Sequence, residues 1–157
     1  VNSSRLKELG PLGTSCPDHF LRTKIRPLIL DAIDEGNLDN VIKELPNQLE
    51  DYKKYYISYY ERCKYSDSPK VRDPYPVVYL IPGIGMITFA KDKPTARISS
   101  EFYVNAINVM RGASSVSEYM GLPEQEAFDL EYWLFEDLKL QRMPKAKPMA
   151  GKIAVIT

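Results

Sequence analysis

The sequence is poor in the residues from which disulfide frameworks and metal sites are built. It contains two cysteines, Cys16 and Cys63, and one histidine, His19. Two cysteines do not make a disulfide framework, so we expect a reduced, cytoplasmic setting. A catalytic zinc site normally takes three protein ligands rich in His and Cys, and these three residues lack the usual spacing. The sequence therefore predicts no metal site of its own.

Net charge and long apolar runs are also missing. The 21 Lys and Arg residues are balanced by 21 Asp and Glu residues, whereas a general nucleic-acid binder carries a clear positive excess. No apolar run approaches the roughly 18 residues that a membrane-spanning helix needs. We therefore expect neither nucleic acid nor a membrane as a partner.

What the chain does have is the composition of one folded domain. It is 157 residues long and 44% apolar, and a domain of this size buries roughly 70% of the surface of its unfolded chain. The patterning predicts an α+β fold, or a three-layer α/β arrangement, with a small, mostly antiparallel sheet covered by helices. The strands are expected near residues 19–25, 77–82 and 86–90, and the helices near residues 47–64, 95–111 and 124–141.

Prolines and glycines set the expected boundaries of these elements. Pro46 interrupts a helical pattern that starts near residue 37 and suits the first position of a second helix. Gly112 and Gly121 are natural helix stops. The segment 82–85 follows a strand and precedes another, so it indicates a tight hairpin turn rather than a phosphate loop.

One group of residues could bind an anion. His19, Arg22 and Lys24 lie within six positions of one another, and cationic and imidazole groups suit an anionic ligand. The alternative for His19 is a structural hydrogen bond.

Two further patterns favour structural readings. The tyrosines between residues 52 and 65 recur at helical spacing, which indicates a packing face with the hydroxyl groups in water rather than a platform for bases. Glu131 and Glu136 are five residues apart and do not share a helix face, so surface charges are favoured over an acid/base pair. The roles of Glu131, Trp133 and Glu136 stay open.

Residues 83–96 resemble the class II aldolase/adducin pattern NHG-x-x-T-x-G-K-x-x-x-x-A, which runs from a hairpin strand through a turn into a helix. Gly85, Thr88, Lys91 and Ala96 match the motif glycine, threonine, lysine and alanine. In active class II aldolases the motif histidine is a zinc ligand, and Ile84 stands at that position here. Isoleucine has no lone pair to donate, so the resemblance implies a degenerate, metal-free copy.

Residues 151–157, Gly-Lys-Ile-Ala-Val-Ile-Thr, resemble the first strand of a short-chain dehydrogenase. In that family a glycine-rich turn follows at once and binds the pyrophosphate of the dinucleotide. The sequence stops before such a turn. The resemblance thus implies that NAD is bound outside these residues.

As a whole, the chain resembles the middle of the bifunctional rhamnulose-1-phosphate aldolase/short-chain dehydrogenases. The resemblance implies an aldolase/adducin-like linker domain at 1–142, a linker at 143–150 and a truncated dehydrogenase strand at 151–157. It also implies zinc in a separate aldolase domain, NAD in a dehydrogenase domain, and cleavage of a phosphorylated ketose followed by NAD-linked oxidation of lactaldehyde.

For the segment itself we expect a non-catalytic structural or oligomerisation role. Its partners would be the flanking domains of the same polypeptide and a possible second copy of the chain. Two alternatives stay open: the segment contributes phosphate-binding residues to a neighbouring aldolase site, or it is a module that binds a small ligand of its own.

Overall fold

The computed structural model describes residues 1–14, 16–30 and 38–135, together with the single positions 138, 142, 148, 149 and 152. These residues form an α+β domain, which confirms the predicted fold class. Its elements in chain order are α1 (Leu6–Leu9), α2 (Pro17–Thr23), β1 (Leu28–Ile29), α3 (Leu38–Cys63), β2 (Val78–Ile81), β3 (Gly85–Thr88), α4 (Lys93–Val116) and α5 (Glu124–Glu131).

The three strands form one mixed sheet in the order β1, β2, β3. β1 runs parallel to β2, with Leu28 opposite Tyr79. β2 and β3 form the predicted antiparallel hairpin, in which Val78 pairs with Thr88. Gly83 and Gly85 have φ angles of 87° and 138°, which glycine adopts at no steric cost. The hairpin turn between the two strands therefore depends on glycine.

The predicted strand at residues 19–25 is wrong, because this stretch contains helix α2. Pro17 lies at its first position, where the missing N–H of proline costs nothing. His19, Phe20 and Thr23 are its buried residues, and this spacing is helical rather than alternating. The first strand instead follows Pro27, in the short apolar run that begins at Leu28.

Two predicted helix boundaries are also wrong. α3 continues from Leu38 to Cys63 with Pro46 inside it, and α4 continues past Gly112 to Val116. Pro46 and Gly112 both lie on exposed faces, where water can satisfy the backbone that proline leaves unpaired. Helix packing therefore overrides both local stop signals.

α5 is shorter than predicted and ends at Glu131, with Tyr132 as its C-cap. The residues expected to continue it lie largely outside the described part of the chain. The same holds for the predicted linker at 143–150 and the predicted strand at 151–157.

The main core lies where α3 packs on α5. The buried side of α3 carries Tyr52, Tyr56, Tyr59 and Tyr60, and we call it the tyrosine face. Tyr56 and Tyr59 are fully buried, and Phe128 of α5 is 1% exposed. α2 packs against both α4 and α5, which brings the C-terminal end of α2 close to the sheet. Among the residues that the structure describes, no helix is long and apolar enough to cross a membrane.

Candidate anion-binding cleft

A cleft of about 530 Å³ opens where the C-terminal end of α2, the β2–β3 hairpin and the first turns of α4 meet. Three cationic side chains line it: Arg22, Lys24 and Lys91. Asp73 is the one carboxylate among its described lining residues, and the hydroxyl-bearing Thr95 lies on the α4 side. The cleft therefore carries a net positive charge.

Arg22 and Lys91 bring their charges to the cleft from separate elements. Arg22 lies in the last turn of α2, and its backbone carbonyl accepts a hydrogen bond from the Ser99 hydroxyl at 2.8 Å. Lys91 lies in the exposed connection between β3 and α4. Within the described ranges neither side chain forms an ion pair. No described acidic side chain therefore competes with an anion for either charge.

Lys24 is held in an unusual backbone conformation at the end of α2. Its φ of 61° and ψ of 179° fall in a region that is essentially confined to glycine and costs other residues about 1–3 kcal/mol. The side chain is 8% exposed. Its ammonium group lies 4.0 Å from the centre of the Tyr56 ring and donates a hydrogen bond to the backbone carbonyl of Asp73.

Behind Lys24 lies a buried carboxylate, Glu131, which is 1% exposed. It accepts hydrogen bonds from the Tyr56 hydroxyl at 2.5 Å and from the Tyr59 hydroxyl at 3.2 Å. A further bond of 2.8 Å joins the hydroxyls of Tyr56 and Tyr132. We call Tyr56, Tyr59, Glu131 and Tyr132 the tyrosine–glutamate network.

This network overturns two predictions. Glu131 is not a surface charge, because α5 turns that side chain into the protein and α3 supplies two donors for it. The hydroxyls of Tyr56 and Tyr59 are not in water for the same reason. Once the structure shows both tyrosine hydroxyls to be buried, each requires an acceptor. The sequence does not indicate which residue supplies that acceptor.

Burial dominates the titration of these groups. It raises the pKa of Glu131, and the tyrosine donors and Lys24 counteract this by stabilising the carboxylate. It lowers the pKa of Lys24 to about 8, although Glu131 and Asp73 act in the opposite direction. The pKa of the Tyr56 hydroxyl is raised, first by burial and then by Glu131. Lys24 is thus a cation whose charge changes near neutral to weakly alkaline pH.

His19 does not line the cleft. It is 2% exposed, its Nδ1 lies 2.7 Å from the Thr14 hydroxyl, and its ring meets the Phe102 ring edge to face at 4.9 Å. Burial lowers its pKa. The three predicted anion-binding residues are therefore divided, with His19 in the interior and Arg22 and Lys24 at the cleft.

The five residues of the aldolase-like motif, Ile84, Gly85, Thr88, Lys91 and Ala96, do not all lie at the cleft. Ile84 is 59% exposed at the hairpin turn, next to Gly85 with its positive φ. The Thr88 hydroxyl donates to the Ala96 carbonyl at 2.9 Å and so ties β3 to the first turn of α4. Of the five, Lys91 lines the cleft.

The described residues do not fit a zinc ion. Within them, no three His, Cys, Asp or Glu side chains lie close enough together to hold a metal, and Ile84 offers no donor atom where the motif has histidine. The glycine-rich turn that would bind NAD is not among the 157 residues. The absence of both groups from this segment remains a prediction.

A family model described as "Aldolase class II, second domain" matches residues 1–140. The chain belongs to this family. It is also similar to "Uncharacterized oxidoreductase YuxG" of Bacillus subtilis (strain 168), with 34% identity over 161 residues. That match covers 100% of the chain and 23% of the relative, so the chain spans about a quarter of that protein's length. No solved structure gives a significant match.

Proposed function

We propose that this second aldolase domain binds the phosphate group of a sugar phosphate for a neighbouring aldolase site in a longer polypeptide. The observation that carries the proposal is the convergence of Arg22, Lys24 and Lys91 on one cleft. A phosphate ester offers up to two negative charges and three acceptor oxygens. The planar guanidinium of Arg22 suits two of those oxygens at once, and each lysine binds as a point charge.

For the whole protein we propose an aldolase joined to an NAD-linked short-chain dehydrogenase in the cytoplasm. The substrate would be rhamnulose 1-phosphate, cleaved to dihydroxyacetone phosphate and lactaldehyde, and the aldehyde would then be oxidised. The family's aldolase name, the word oxidoreductase in the relative's name and the resemblance of residues 151–157 to a dehydrogenase strand support this. The chain's own residues would bind and orient the phosphorylated substrate.

A purely structural role is the second candidate. The bond between Thr88 and Ala96 favours it, because this pair of motif residues holds a hairpin against a helix rather than facing the cleft. In this case the domain connects its neighbours or mediates contacts between copies of the chain, and the cationic cleft has no ligand.

Kinetics of the full-length protein separate the two candidates. We expect Arg22→Ala and Lys91→Gln each to raise the KM for rhamnulose 1-phosphate by about tenfold, the value of one charged hydrogen bond. The kcat for cleavage and the NAD-linked oxidation of lactaldehyde should not change, because neither depends on binding the phosphate in this cleft.

Lys93→Gln is the matched control. Lys93 is two residues from Lys91 and equally charged, but it does not line the cleft, so its KM should match that of the wild type. An unchanged KM in Arg22→Ala and Lys91→Gln would contradict phosphate binding and favour the structural role.

A further inference from the structure

A second cavity lies on the opposite side of the sheet from the main core, between the N-terminal segment, β2 and α4. Its volume is about 400 Å³, within the range of small-molecule sites. The walls are mainly aliphatic and thioether side chains. These are Leu6, Leu9, Leu80, Ile107 and Met110. The cationic cleft and the tyrosine–glutamate network share no residue with this cavity.

Two hydroxyl groups in the cavity lining lack partners. Tyr103 is 2% exposed, and neither its hydroxyl nor the buried Ser114 hydroxyl forms a hydrogen bond within the described part of the protein. Buried polar atoms nearly always have a partner, and leaving one without a partner is costly. Both residues line the same cavity, so a single ligand there could satisfy them.

The charges around the cavity are of one sign. Arg5 and Arg111 both line it, and no carboxylate is among its described lining residues. Arg5 is paired with Glu8 at 2.6 Å, whereas Arg111 is exposed and forms no ion pair with a described residue. Arg111 is therefore the group that can bind a negative charge on a ligand.

We propose that this cavity binds a small amphipathic anion. The apolar body of the ligand lies against Leu6, Leu80 and Met110. Its carboxylate or sulfonate binds Arg111, and one of its acceptor atoms accepts a hydrogen bond from the Tyr103 hydroxyl. This site is independent of the phosphate cleft and would operate whether or not the proposed phosphate role is correct.

The test uses 8-anilinonaphthalene-1-sulfonate with the full-length protein as it is encoded. We expect saturable binding at one site, with affinity reduced about three- to tenfold in Tyr103→Phe and about tenfold in Arg111→Gln. Arg97→Gln is the control, since Arg97 is an exposed cation of the same helix outside the cavity, and it should bind the dye as the wild type does.

Competition then tests the chemistry of the ligand. Octanoate should displace the dye at a lower concentration than octan-1-ol, because Arg111 binds only the carboxylate. Equal displacement by the two compounds, dye binding that is unaffected in both cavity variants, or no saturable binding would each overturn the proposal.

The melting temperature of Tyr103→Phe shows whether a loss of dye binding comes from misfolding. Because the Tyr103 hydroxyl has no partner, Tyr103→Phe should melt at the wild-type temperature or above it. A lower melting temperature would show that the hydroxyl already has a partner inside the protein, which would also overturn the proposal.

Discussion

Lys24 combines two energetic costs. Its backbone lies in a conformation that favours glycine, and its ammonium group is buried beside Tyr56. Glu131 and Asp73 offset the burial of the charge, and Arg72 opposes it. Lys24 thus places a cation at the wall of the cleft, on a buried side chain that has little freedom to move away.

The lowered pKa of Lys24 predicts a dependence of stability on pH. Between about pH 8, its folded value, and 10.5, its unfolded value, the unfolded chain holds a proton that the folded protein has lost. The stability contribution of Lys24 therefore rises with pH in this window, by about 1–2 kcal/mol from pH 8 to 9.5. Denaturant unfolding of the wild type and of Lys24→Met at several pH values measures it.

The comparison with Lys24→Met removes the effects of the tyrosines and of Cys63, because both proteins contain them. The free energy of unfolding of the wild type should increase relative to that of Lys24→Met as the pH rises. Parallel curves for the two proteins would show that Lys24 titrates at its ordinary value.

At the same scale, the sequence indicates some site residues and not others. Arg22, Lys24 and Lys91 could be selected from their charge and from a motif, and all three line the cleft. Glu131 could not be selected, because helical spacing alone does not say which face of α5 packs inward. Its partners, Tyr56 and Tyr59, are 75 and 72 residues away in the chain.

At the scale of the elements, two helix-stop signals, Pro46 and Gly112, lie inside helices on faces exposed to water. The hairpin and α4 follow from apolar runs, prolines and glycines, and the structure confirms them. The sequence of α2 could not be distinguished from that of a strand, because its seven residues make only two helical turns. That is too short to tell helical from alternating spacing. The packing of α2 against both α4 and α5 decides the conformation there.

α3 carries its own prediction. Pro46 removes one backbone donor from the interior of this helix, so Pro46→Ala should restore a hydrogen bond to the carbonyl of Ile42. We expect the free energy of unfolding to rise by about 1–3 kcal/mol, measured by urea denaturation. Lys43→Ala, an exposed change on the same helix, should alter it by less than about 0.5 kcal/mol. Destabilisation by Pro46→Ala would show that a bend at Pro46 is required for packing.

At the scale of the whole molecule, the N-terminal segment is held against the connection between α4 and α5. The Tyr119 hydroxyl donates to the Gly13 carbonyl at 2.8 Å. Gly121 packs so closely on this segment that a Cβ atom there would overlap the carbonyl oxygen of Leu12. The N-terminal segment and the connection between α4 and α5 therefore meet at backbone contact distance.

Two alanine substitutions test this contact. Gly121→Ala should lower the free energy of unfolding by about 1–3 kcal/mol, because backbone must move to admit the methyl group. Gly112→Ala is the counterpart, since Gly112 lies in α4 with no atom within 4 Å of its added Cβ. It should raise stability by about 0.5–1 kcal/mol. Thermal unfolding of the two variants measures both effects, and equal effects would contradict the close approach at Gly121.

The tyrosine–glutamate network also determines how early during synthesis the core can close. A ribosome-bound chain that ends before α5 lacks the acceptor for the hydroxyls of Tyr56 and Tyr59, and it lacks Phe128, whose ring packs against that of Tyr59. Closing the core at that stage would bury unpaired hydroxyl groups. We therefore expect the tyrosine face of α3 to stay exposed until residues 124–132 have emerged from the ribosome. A pause in translation before that point should prolong the interval in which this face can aggregate.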